Sequence, residues 1–71
     1  MNAKTFDFGE ALFCLECGLV VSLTLNGIER RYYINQFGDI MCTPNGKEHL
    51  NYKVKEFKVD AIMSKDWKVY E

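Results

Sequence analysis

Apolar and polar positions alternate along this chain with two different periods, and the change of period marks its elements. Phe8, Ala11, Leu12 and Leu15 recur at i, i+3, i+4 and i+7, which places them on one stripe of an α-helix. Asp7 stands where an N-cap belongs and Glu10 three residues on completes a capping box, with Phe6 as the residue that packs back on the first turn. Gly18 supplies the left-handed residue that stops the helix. From Leu19 to Leu25 and again from Ile28 to Ile34 the period falls to two, and Asn26-Gly27 lies between the runs. Asn-Gly between strand-like runs predicts a hairpin with a two-residue turn, because a type I′ turn needs positive φ at both central residues.

That turn sets a register. Leu25 pairs with Ile28, Leu23 with Arg30, Val21 with Tyr32 and Leu19 with Ile34 on a mostly apolar face, while Thr24–Glu29, Ser22–Arg31 and Val20–Tyr33 form a wetter face. A turn over Asn35 to Asp39 leads to a short strand Ile40 to Thr43, then a turn at Pro44-Asn45-Gly46-Lys47. Leu50 to Val59 reads as a further strand with a bulge at Glu56 to Lys58, Asp60 to Met63 as one helical turn capped by Asp60, and Trp67, Val69 and Tyr70 as a last short strand. The sum is an α+β domain over residues 1–71, one N-terminal helix packed on an antiparallel sheet of four to five strands.

Cys14-x-x-Cys17-Gly18 admits a second reading, a zinc knuckle whose remaining ligands are Cys42 and His49. The helix explains every residue from 7 to 18, whereas the knuckle uses three and leaves the periodicity without a cause, and Cys42-x6-His49 is loose for a second ligand pair. The helix is therefore preferred, no metal or other cofactor is expected, and the cysteines serve as small apolar residues.

A chain of 71 residues buries only roughly 60% of its unfolded surface, so its core is marginal without help. Three cysteines, an odd number, and no signal peptide argue against disulfides. Self-association into a homo-oligomer, a dimer or tetramer, is the favoured support, and an apolar content of 48% supplies side chains for an interface. Nine Lys and Arg against ten Asp and Glu offer no general attraction to duplex DNA or RNA or to an anionic membrane. No apolar run reaches the ~18 residues a spanning helix needs, which points to a cytoplasmic protein.

Phe8-Gly9-Glu10-Ala11-Leu12, Leu15, Gly18, Val21 and Asn26-Gly27 near the start, with Asp60 and Lys65-Asp66-Trp67-Lys68-Val69 near the end, resemble the small bacteriophage proteins of the Thoeris anti-defence type. Those carry an FGEAL…L..G..V…WNG opening and a D…DW.V close, and the likeness is weak over residues 28 to 59. The resemblance implies a helix-plus-sheet oligomer in the host cytoplasm. It also implies that the chain sequesters a nucleotide-derived immune signal, cyclic ADP-ribose-like or a cyclic oligonucleotide, without cleaving it. The tryptophan that the family has before the Asn-Gly turn is Leu25 here, so an aromatic platform for a base has to come from elsewhere.

Candidate chemistry is thin for an enzyme. His49 is the single histidine, and the chain has no Ser/His/Asp order and no glycine-rich phosphate loop. Binding is better supplied, since Arg30-Arg31 beside Tyr32-Tyr33 puts one guanidinium and one ring on each sheet face, suited to clamping a phosphate and stacking a base. The hairpin register makes Arg31 the more exposed of the two arginines. Asp66 offers a carboxylate to a ribose hydroxyl and Trp67 an indole for stacking. The candidate ligand-binding set is thus Asn26, Arg30, Arg31, Tyr33, Asp66 and Trp67. A second class of function, a small adaptor or inhibitor acting by direct protein contact, calls for an exposed apolar patch in place of a concave polar site. A zinc-stabilised module is the third.

The helix reading has a direct test in metal analysis. Purified protein is expected to carry no stoichiometric zinc, and Cys14→Ala with Cys17→Ala to leave its circular dichroism unchanged. Stoichiometric zinc together with unfolding by a chelator is the opposing result.

Overall fold

The computed structural model describes residues 4–70. Helix α1 spans Phe8–Glu16, and it starts and stops where local chemistry requires. The Asp7 side chain accepts a hydrogen bond from the Glu10 N–H at 3.0 Å, satisfying one of the donors that a helix start leaves without a partner. At the other end Gly18 adopts φ +84°. Its N–H donates to the Leu15 carbonyl at 3.0 Å and the Leu19 N–H donates to that of Cys14 at 3.0 Å, the paired bonds of a Schellman stop. Ala11 and Leu15 are buried and Phe8 and Leu12 pack against the core, so the predicted stripe is the face that meets the sheet.

Strands β1 (Val21–Leu25) and β2 (Ile28–Ile34) form the expected hairpin, with Asn26 at φ 52° and Gly27 at φ 76° in its turn. The register runs from Leu25 opposite Ile28 to Val21 opposite Tyr32. It stops there, because the helix stop has already claimed the Leu19 N–H, and Leu19 stands exposed outside the strand. The expected Val20–Tyr33 and Leu19–Ile34 pairs therefore do not form part of the ladder. Strand β3 (Ile40–Pro44) follows antiparallel to β2.

The expected strand Leu50–Val59 is the largest departure. Glu48–Leu50 forms a 3₁₀ turn, and strand β4 is only Tyr52–Lys53 on the outer side of β3. After Val54 donates to the Ile40 carbonyl at 2.8 Å, the chain leaves the sheet. Residues 54–58 then cross over the core as a strap, because Val54 and Phe57, three residues apart, both turn inward against it. What reads as a bulge at Glu56 to Lys58 is this crossing. Helix α2 (Val59–Met63) follows with Lys58 at its cap position, so Asp60 lies in the first turn and is not the cap. Strand β5 (Lys68–Val69) then pairs with β1. The five strands lie in the order β4-β3-β2-β1-β5, all neighbours antiparallel. This is the α+β arrangement of one main helix on a five-stranded sheet, and no helix among the described residues is long and apolar enough to cross a membrane.

Trp67 closes the structure. It is 0% exposed, with ring centroids of Tyr32, Phe8 and Phe57 at 5.2, 5.7 and 6.1 Å. Its indole N–H donates to the Ala61 carbonyl at 2.9 Å, which holds α2 against the core. Its backbone exchanges two hydrogen bonds with Phe6, at 2.8 and 3.2 Å, so the segment before α1 covers the β5 edge. Replacing a large buried aromatic by alanine costs about 3–5 kcal/mol, comparable with the whole stability of a domain this small. Trp67→Ala is expected to lose the cooperative thermal transition. Trp67→Phe should retain it at a Tm lower by several degrees, since the buried indole hydrogen bond to the Ala61 carbonyl is lost, leaving that carbonyl only the longer one from the Ser64 N–H at 3.3 Å, and the smaller ring leaves space in the core. A Trp67→Ala protein melting within a few degrees of the parent would contradict this account of the core.

Candidate functional site

Strand alternation sends the two adjacent arginines to opposite sides of the sheet, and their surroundings then differ. Arg30 shares the helix-bearing side with Val21, Leu23 and Tyr32. Arg31 emerges on the other side, beside Ser22 and Thr43 in the register.

Arg31 is fully engaged within the fold. Its Nε donates to Glu29 Oε1 at 3.1 Å, its Nη2 lies 3.1 Å from the same oxygen, and its guanidinium carbon sits 3.9 Å from the centroid of Tyr70. A Cβ at Gly46 would come within 2.8 Å of Nη1. Since β1 lies between β2 and β5, the Arg31–Tyr70 contact bridges across β1, and Ser22 in its middle is 0% exposed with an Oγ that has no hydrogen-bond partner. The expectation that Arg31 is the free, exposed guanidinium is thus corrected: a neighbouring acid and a ring from beyond β5 occupy it. On the same side Tyr33 is also committed, its hydroxyl accepting from Asn51 Nδ2 at 2.6 Å, while Asn51 Oδ1 accepts from Thr43 Oγ1 at 3.3 Å.

Arg30 faces a cleft of about 230 Å³ on the helix-bearing side. Leu25 and Asn26 of the hairpin end, Arg30 and Tyr32 of β2 and Tyr52 of β4 form one wall. Val54, Glu56, Phe57 and Lys58 of the strap with Asp60 and Ala61 of α2 form the other. The cleft exists because the strap crosses over the sheet instead of pairing with it. Among the described residues Arg30 belongs to no ion pair; the two that form join Arg31 to Glu29 and Lys53 to Asp39. Tyr52 is half exposed at the mouth and offers a ring face and a hydroxyl. Contact with the Cys42 thiol, then burial, raises the Tyr52 phenol above its ordinary range, and burial first, then the Cys42 thiol, raises Tyr32. Both phenols therefore stay neutral and able to donate at physiological pH.

The six residues expected to bind ligand do not meet. Asn26 and Arg30 share the cleft, whereas Arg31 and Tyr33 lie on the opposite face of the sheet. Trp67 is enclosed in the core and has no free ring face, which corrects its reading as a stacking platform. Asp66 is exposed in the turn before β5, where its N–H donates to Ser64 Oγ at 3.1 Å, and it does not line the cleft. Tyr52, Glu56, Phe57, Lys58 and Asp60 line the cleft although sequence reasoning passed them over. The signal available was the failure of alternation at Glu56 to Lys58, where the chain leaves the sheet. Cys14 and Cys17 lie at the end of α1 and Cys42 is buried in β3; among the described residues no group of three or more His, Cys, Asp or Glu is placed to hold a metal ion.

Scanned against protein-family models, curated proteins and solved structures, the chain matches none of them.

The two arginines are expected to separate in stability measurements. Arg31→Ala loses a cation–π contact worth about 0.5–1 kcal/mol and a part-exposed ion pair of similar or smaller worth. Its Tm should fall by roughly 4–8 °C. Arg30→Ala should lose less, about 0.5 kcal/mol, since Arg30 is in no ion pair and only its contact with the part-exposed Tyr52 hydroxyl is lost. Equal losses for both variants in thermal melts would contradict the assignment of Arg31 to the fold and Arg30 to the cleft.

Proposed function

We propose that this protein binds a nucleotide-derived immune signal, cyclic ADP-ribose-like or a cyclic oligonucleotide, and holds it without cleaving it. In this reading it is a bacteriophage anti-defence protein that acts in the host cytoplasm as a homo-oligomer. The observation that carries the reading is the Arg30 guanidinium, free of any ion pair, set in a cleft beside the half-exposed Tyr52 ring. A planar bidentate donor next to an aromatic face suits a phosphate joined to a base. Tyr52 and Phe57 supply in the cleft the aromatic surface that Leu25 does not. The likeness of the opening and closing motifs to the Thoeris anti-defence proteins supports the same ligand class.

Thermal melts against a panel of cyclic nucleotides and ADP-ribose derivatives test the proposal. At ligand one hundred times above its Kd, linkage contributes roughly 2.7 kcal/mol, a Tm rise on the order of ten degrees for a domain of this size. Arg30→Ala should abolish the rise, Arg31→Ala should keep it above a lower starting Tm, and mass spectrometry should recover the ligand intact. Absence of any shift across a wide panel favours inhibition by direct protein contact, and recovery of a cleaved ligand makes the protein an enzyme.

A further inference from the structure

Four charged side chains line the cleft: Arg30 from the sheet, Glu56 and Lys58 from the strap, and Asp60 from α2. None of the four takes part in an ion pair among the described residues. Cations and carboxylates that share a concave site yet stand farther apart than the 4.0 Å of an ion pair leave both signs open to a ligand. An ionised carboxylate accepts hydrogen bonds and donates none, so in this cleft it selects hydroxyl or amine donors and repels phosphate. A guanidinium does the reverse and selects an anion. A ligand that satisfies both ends carries a phosphate and, a few bonds away, hydroxyl groups. Ribose 5-phosphate units have that pattern, and vicinal ribose hydroxyls are a usual partner of an acidic side chain in nucleotide sites.

Size points the same way. About 230 Å³ falls below the roughly 300–1,000 Å³ of pockets that engulf a whole drug-sized ligand. A sugar phosphate fits within it, whereas a dinucleotide has to leave a large part outside, against the exposed ring of Tyr52.

We infer that the cleft is a ribosyl-phosphate subsite, in which Arg30 and the Tyr52 hydroxyl take the phosphate and Glu56 and Asp60 take the ribose hydroxyls. The inference rests on the cleft being the ligand site and narrows its ligands to ribose, not deoxyribose, phosphates.

Amide chemical-shift titration of the whole chain with ribose 5-phosphate, 2-deoxyribose 5-phosphate and inorganic phosphate tests it. Ribose 5-phosphate should perturb the signals of residue 30, residue 52 and residues 56–60, and bind about tenfold or more tighter than the deoxy sugar, the worth of a hydrogen bond to a charged group. Inorganic phosphate should bind more weakly at the same signals. Arg30→Gln should lose all three ligands. Glu56→Gln with Asp60→Asn should keep phosphate binding and bring the two sugars within about twofold, its dispersed spectrum showing that the fold is intact. Equal binding of the two sugars to the parent protein, perturbations confined to other parts of the chain, or no binding at tens of millimolar each overturns the inference. Binding of ribose 5-phosphate as described, with no cyclic nucleotide bound, sinks the sequestration reading alone. Cyclic nucleotides bound equally well in ribose and deoxyribose form sink this inference alone.

Discussion

One side chain holds the structure together, the indole of Trp67. It lies in the middle of an aromatic cluster drawn from four parts of the chain: Phe8 of α1, Tyr32 of β2, Phe57 of the strap and Trp67 itself just before β5. Aromatic rings bury large areas and prefer the tilted and edge-on contacts seen here. A chain of this length has few other large residues to spend on a core, so the cluster carries much of its cohesion. The indole N–H also finds the one partner it needs, the Ala61 carbonyl, and through it α2 is fixed against the sheet. Phe6, paired with the Trp67 backbone, brings the two ends of the described chain together on one edge.

The cleft is a by-product of that cluster. Phe57 must reach Phe8, Tyr32 and Trp67, so the strap has to cross the sheet instead of extending it. The gap left between the strap and the hairpin end mixes the charged Arg30, Glu56, Lys58 and Asp60 with the apolar Leu25, Val54 and Phe57. The aromatic core and the charged cleft thus occupy neighbouring parts of one face, with Tyr32 common to both.

The opposite face solves another problem. Helices α1 and α2 pack on the other side of the sheet, yet Ser22 and Thr43 at the centre of this face are buried. Long side chains roof them: Arg31 with Tyr70 over Ser22, and Tyr33 with Asn51 beside Thr43. An arginine can do this because its aliphatic stem covers apolar surface while its planar head stacks on a ring. Arg31 therefore belongs to the architecture and Arg30 lines the cleft, although they are neighbours in sequence and identical in chemistry.

Local chemistry was enough to read the helix with its Asp7 cap and Gly18 stop, the Asn26-Gly27 hairpin with its register, the strand at Ile40, and hence the α+β class. Each of these is decided within a few residues by capping, by positive φ or by a period of two or 3.6. Asn26 and Arg30 were named from the sequence as ligand candidates, and the fold brings both to one cleft. What happens after Lys53 was not legible. Whether Val54 to Val59 continues a strand or leaves the sheet depends on where Phe8, Tyr32 and Trp67 stand in space, and no local pattern contains that. For the same reason the sequence could not show that Trp67 is sealed in the core, or that Tyr70 comes to rest on Arg31 from two strands away. It could not bring Glu56 and Asp60 to face Arg30 either, because residues so far apart in the chain become neighbours only when the core closes.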